Sequence, residues 1–200
     1  VKRALTWVAA LAMLVAAWVI SGETPDGEQR IDDPFPVTAR VGEAVTSDNL
    51  GVTVHDVRLT DRLSTGGWSA DGTWLVVSLD AWLVRREPAS LKLGYLVVGD
   101  RTFLASERVA TYDVDASLSG SGLHTGIPRT GTLVFELPAD IASDPDAANA
   151  SLQLSLGTPL PALSPRQNQR GAAVAEFAVD LTALPHDTTT ALPDTSWTTP

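Results

Sequence analysis

Three histidines, one glycine–serine loop and a pair of closely spaced aspartates are the residues whose chemistry could go beyond packing. His55, His124 and His186 are far apart in the chain, and no two have i,i+2 or i,i+4 spacing. No single strand or helix face can therefore offer two imidazoles to a metal, and a surface role is the expectation for each. A copper carrier would need clustered Met and His, but the one methionine, Met13, lies in an apolar opening segment. The run SGSG from Ser119 to Gly122 precedes His124, yet no G-x-S-x-G element is present. It reads as a loop before a strand rather than a serine nucleophile. Asp113-Val-Asp115-Ala-Ser117 begins like a calcium loop. Leu118 then stands where the sharp turn needs Gly, and His124 stands where a bidentate Glu is needed, which excludes an EF-hand. A solvated acidic loop is the default.

No phosphate-cradling glycine pattern occurs, neither G-x-x-x-x-G-K nor G-x-G-x-x-G. A glycosidase carboxylate pair would have few exposed aromatics to hold sugar. The sequence thus predicts no catalytic residue, no metal site and no cofactor. Contact residues are another matter. Trp68 sits in a loop beside Gly66 and Gly67. A tryptophan there either meets a partner or folds back to cap the core. The contact loops expected are those of Trp68 and of Ser121 and His124, since loops at the ends of a rigid scaffold are where binding residues concentrate.

The 200 residues carry 14 basic and 24 acidic side chains, for a net charge of −10. Without Lys2 and Arg3 the remainder stands at −12. Such a surface repels phosphate backbones, so no nucleic-acid partner is expected. Hydrophobic residues make up 44%, enough for a packed core. There is no cysteine, which removes disulfides, thiolate chemistry, iron–sulfur clusters, Cys-ligated zinc and a lipidated lipobox.

From Ala4 to Ile20 the chain has 17 uncharged residues, with Thr6 the one polar side chain. As a helix they span roughly 26 Å, and Ser21 and Gly22 can extend it toward bilayer thickness. Lys2 and Arg3 precede the segment, which predicts a cytoplasmic start and export of everything after Gly22. Two readings stay open. Trp7 and Trp18 near the ends suit an uncleaved anchor, whereas Val19-Ile20-Ser21 before Gly22 offers a cleavage site. Val1 in first position and the Ala/Val/Thr/Asp/Arg-heavy composition fit a GTG start in a GC-rich bacterium.

The remaining organisation is a linker over 23–34, a folded domain over 35–181 and a Thr/Pro-rich tail over 182–200 expected to be disordered. The domain shows period-2 patterning. Leu50, Val52 and Val54 alternate, then Val57 and Leu59 continue in the other parity, which predicts a β-bulge at His55-Asp56. Thr73 to Arg85 is the strongest strand, with Leu75, Val77, Leu79, Ala81 and Leu83 on its apolar face. Leu91 to Val98, Gly99-Asp100 and Thr102 to Leu104 read as a hairpin. Strands follow at Gly131 to Pro138, Ser151 to Gly157 and Ala173 to Leu181, and a helical turn is expected between Asp140 and Ala148. About eight short strands and no βαβ unit predict an immunoglobulin-like antiparallel β-sandwich. Leu79 and Phe135 are expected inside on facing sheets, with Trp74 or Trp82 at the centre.

The succession VGEAVTSDNLGVTVHDVRL, GTWLVVSLDAWLV and IPRTGTLVFELP resembles the bacterial extracytoplasmic domains of unknown function with a telokin-like immunoglobulin fold. Those are related in shape to the mycobacterial immunoprotective extracellular protein. Gly131, Leu133, Phe135 and Pro138 match the late motif of that family. Arg129 departs from it by following Pro128 where Gly is usual, and Asp80-Ala81-Trp82 replaces the usual Asn after the central strand. The resemblance covers about residues 40–157. It implies fold and an envelope location, and it implies no catalytic residue.

The expected function is a non-catalytic module, membrane-anchored or secreted, that recognises a protein or cell-envelope partner. One alternative is an accessory subunit of a membrane complex held by its helix, through Thr6 and the small residues Ala9, Ala10, Ala12, Ala16 and Ala17. A second is a ligand carrier or enzyme with a site in the end loops.

Overall fold

The computed structural model describes residues 35–85, 88–156 and 173–198, together with Met13. The chain divides into two units, Val1–Asp33 and Pro34–Pro200. The helix expected over 1–22 and the linker over 23–34 lie outside the described residues, Met13 apart. Among the described residues no helix is long and apolar enough to cross a membrane.

The second unit is a mostly antiparallel β-sandwich with a parallel pairing at one edge of each sheet. Its strands are β1 (Phe35–Ala39), β2 (Ala44–Ser47), β3 (Leu50–Thr65), β4 (Trp68–Leu83), β5 (Ala89–Ser90), β6 (Leu93–Val98), β7 (Arg101–Leu104), β8 (Gly122–Leu123), β9 (Arg129–Leu137), β10 (Ala150–Ser155), β11 (Ala173–Val179), β12 (His186–Asp187), β13 (Thr190–Ala191) and β14 (Ser196–Trp197). One short helix, α1 (Arg108–Tyr112), follows β7. The first sheet has the order β1-β11-β10-β6-β7, with β1 parallel to β11. The second has the order β12-β3-β4-β9-β14, β2 and β13 also pair with β3, and β12 and β13 run parallel to it. The expected eight short strands are instead a few long ones with several two-residue additions.

β3 and β4 form a hairpin of sixteen residues a side, and its two irregularities shape the molecule. The register slips between Val54 and Asp56, which leaves His55 as the extra residue and confirms the bulge. The slip lets Leu50, Val52 and Val54 share the inner face with Val57 and Leu59, all five being buried. Between Thr60 and Arg62, β3 advances two residues while β4 goes back three, from Trp74 to Asp71. Gly72 sits there with a φ of +154°, a conformation that side chains resist. The hairpin after β5 also forms as read, with Gly99 at a φ of +54° in the first turn position.

The main core lies between the sheets. β4 contributes Leu75, Val77, Leu79, Ala81 and Leu83, and β9 contributes Leu133, Phe135 and Leu137. Leu96, Leu152, Ala175 and Phe177 come from the opposite sheet. Leu79 and Phe135 are both buried, but they belong to one sheet rather than facing sheets. The cause is topological: β9 pairs directly with β4, opposing Phe135 to Leu75. Neither tryptophan fills the centre. Trp82 lies half-buried over Gly51, its strand partner, and Trp74 points to the outer face of the second sheet.

That outer face carries a second apolar cluster. Leu63, Ala70, Trp74, Val76 and Val134 from the sheet are joined by Val109 of α1, by Ala116 and by Leu192. The segment from Ser106 to Leu118 lies over the edge of β9, with Ser106 N–H donating to Val134 O at 2.7 Å and Leu118 N–H to Thr132 O at 2.9 Å. The tail expected to be disordered is a correction. Through residue 198 it runs along the second sheet as β12, β13 and β14 and buries Leu192. Its Thr/Pro composition hid this, because single pairs of ladder residues leave no periodicity to read. Two 3₁₀ turns, Ile141–Ser143 and Ala147–Asn149, stand where one helical turn was expected.

Candidate functional site: two aromatic clusters

The first cluster forms at the tip of the β3–β4 hairpin. Gly66, with a φ of +47°, turns the chain and places Trp68 at the start of β4. Trp68 is half-buried. Its ring meets Trp74 edge-on at 6.4 Å and stacks on Tyr112 at 5.2 Å with 14° between the planes. Of the two roles expected for Trp68, the structure shows the fold-back: it caps the outer cluster and stacks on Tyr112. The Arg108 guanidinium lies 5.7 Å from both the Trp68 and Trp74 rings and reaches Glu136 at 3.2 Å. Thr65 Oγ1 donates to Asp113 Oδ2 at 2.5 Å, tying the hairpin tip to the turn after α1. Asp113 also accepts from the Asp115 N–H and caps the next turn. Of the two aspartates expected in a solvated loop, Asp113 thus holds the loop together, while Asp115 is exposed.

The result is a fixed display. Tyr112 is 62% exposed and Val114 is 68% exposed. Trp68 was legible as a loop-end aromatic from its glycine neighbours. Tyr112 and Val114 were not, because the segment from Val109 to Leu118 lacks a clear period.

Ser121 and His124 belong elsewhere. Ser121 Oγ donates to Ser117 O at 2.9 Å, a bond within its own loop. The His124 ring lies 4.8 Å from that of Trp197, and Arg129 lies 5.0 Å from the Trp197 ring on β14. Arg129 also donates to Gly122 O at 3.2 Å and to Thr195 Oγ1 at 2.8 Å. The structure therefore does not merge Trp68, Ser121 and His124 into one surface. Trp68 shares its aromatic contacts with Tyr112 and Trp74, and His124 shares its own with Trp197. An open cleft of about 490 Å³ beside Ser121 is lined by Pro88, Ser90, Lys92, Gly120, Gly122 and Leu156, among others.

One constellation has the residue types of a hydrolase. His55 Nε2 lies 2.9 Å from Asp80 Oδ2, and Thr130 Oγ1 donates to Asp80 Oδ1 at 2.5 Å. The carboxylate is in the middle, so the hydroxyl gives its hydrogen bond to Asp80. A nucleophile needs that bond to run to the imidazole, with the carboxylate behind it. Strand alternation puts His55 on the same face as Thr53, the strand partner of Asp80. Among the described residues no group of three or more His, Asp and Glu could hold a metal ion.

No known protein family and no curated protein matches the chain. Among solved structures it is similar to the yjhA protein from Bacillus subtilis, at 15% identity and a TM-score of 0.45, over 70% of this chain and 99% of that one. It is also similar to an uncharacterized β-sandwich protein from Clostridium difficile 630, at 9% identity and a TM-score of 0.45, over 74% of this chain and 97% of that one.

Proposed function

We propose that this chain is a non-catalytic, immunoglobulin-like binding module held outside the cytoplasm, at the cell membrane or released from it. It recognises a protein or cell-envelope component through Trp68, Tyr112 and Val114. The observation that carries this reading is the stacked Trp68–Tyr112 pair. Its base is fixed by Trp74 and the Thr65–Asp113 bond, while Tyr112 keeps most of its surface open. A rigid aromatic costs little entropy when it docks, which makes it a good anchor. The immunoglobulin reading is supported by strand order. The sequence β11-β10-β6-β7 in one sheet matches G-F-C-C′ of variable-type domains, and β4 beside β9 matches B beside E. The location is supported by the basic pair before the apolar run.

The test places a photo-crosslinking amino acid at position 112 of the full chain, and in a parallel strain at the exposed Val41. A discrete adduct from position 112 that is lost with Trp68→Ala is the expected result. Identical adducts from both positions overturn the patch. A reporter fused after Pro200 that is active only in the cytoplasm overturns the location.

A further inference from the structure

Residues 186–198 hold to the second sheet through contacts that a separate peptide could make. Each of β12, β13 and β14 pairs only two residues. Three amides of the segment add bonds: Leu192 N–H to Ser64 O at 2.8 Å, Thr195 N–H to Asp115 O at 2.6 Å and Thr198 N–H to Pro128 O at 2.9 Å. Leu192 is the one residue of the segment that is buried, and it enters the outer cluster with Leu63 and Trp74. No residue of the segment belongs to the core between the sheets.

The receiving surface is shaped for this segment. Gly131 leaves a trough, since a Cβ there would stand 2.6 Å from the Thr195 methyl carbon. Arg129 offers its fork to Thr195 and its charge to the Trp197 ring, with His124 beside it. Arg58 reaches Asp187 at 2.9 Å, and Asp61 reaches His186 at 2.8 Å.

We propose that residues 186–198 are an exchangeable strap, and that their groove also takes the same segment from a second copy of this chain. Short ladders open at low local free energy, and the segment can leave without touching the main core. The complementarity needed for exchange already exists within one molecule, which is the usual origin of strand swapping. Leu181, buried in the main core, and the Asp180–Ala183 turn mark the fixed end. The strap of the same molecule acts at an effective concentration on the order of mM, so it is the resident occupant of a dilute protein. Weakening it opens the groove to a second copy.

The test titrates a fluorescent peptide of residues 186–198 against the full chain, and against full-length Leu192→Ala and Trp197→Ala variants. Saturable binding is expected, at least tenfold tighter to Leu192→Ala than to the unmodified chain, with Trp197→Ala between them. Trp197 is 41% exposed, so its replacement keeps the test valid if Leu192→Ala fails to fold. Failure of the peptide to bind any of the three chains overturns the proposal, as does equal binding by a scrambled peptide. Thr130→Cys and Ser196→Cys chains are also mixed at concentrations where the peptide binds. Mass spectrometry should find a 130–196 disulfide between molecules, because these positions are strand partners. Its absence removes the second copy as occupant and overturns the proposal.

Discussion

Gly51 has no side chain because Trp82 occupies that space. A Cβ at position 51 would stand 2.1 Å from the Trp82 ring. Gly51→Ala should therefore cost about 1–3 kcal/mol, the usual range for overpacking. In a Trp82→Ala background the clash is gone, and the same change should become stabilising by about 0.5–1 kcal/mol, since Gly is a poor strand residue. Denaturant midpoints of the four proteins check this, and an equal cost in both backgrounds contradicts it. Asp180 offers a second residue-scale test. The Thr182 hydroxyl, donating to Asp180 Oδ1 at 2.6 Å, holds its carboxyl below the usual value, with the Thr182 and Ala183 amides adding to the effect. A lowered carboxyl stabilises the fold above the unfolded pKa, and that contribution is lost as pH falls through the folded one. Thr182→Val should raise the Asp180 pKa toward the ordinary value in a carbon-detected NMR titration. Neither contact was legible in the sequence. Gly51 and Trp82 are 31 positions apart, and only the strand register makes them partners.

At the scale of elements, alternation carried the inner faces and failed on the outer one. The bulge at His55 was readable because the parity of apolar positions changes across it. Deleting His55 removes the extra residue and turns Val57 and Leu59 toward solvent, or forces the whole pairing with β4 to slip. The deletion variant should lose its cooperative thermal transition, and a midpoint within a few degrees of the parent would refute the register. The tip cluster escaped reading for the opposite reason. α1 is five residues long, too short for a helical period, and the Thr65–Asp113 bond joins residues 48 positions apart. Trp68 showed itself through its glycine neighbours, while its stacking partner had no local mark.

For the whole molecule, the two apolar clusters divide the stability unequally. Phe135 is fully buried between the sheets, among leucines from both. Phe135→Ala leaves a cavity there and should cost about 3–5 kcal/mol. In a domain of this size that lowers the thermal midpoint by about 6–20 °C, at ~2–4 °C per kcal/mol. The outer cluster is smaller and is closed by a single leucine of the strap. Ending the chain after Pro185 removes Leu192 and three short ladders but leaves the inter-sheet core complete. The truncated chain should still unfold cooperatively, with its midpoint lowered by about 4–8 °C for a loss of about 2 kcal/mol. It should also bind a hydrophobic dye more strongly, because the strap no longer covers the cluster that holds Leu63, Trp74 and Val76. A truncated chain with no cooperative transition would place the strap in the folding core. An unchanged midpoint together with unchanged dye binding would mean that it covers nothing in solution.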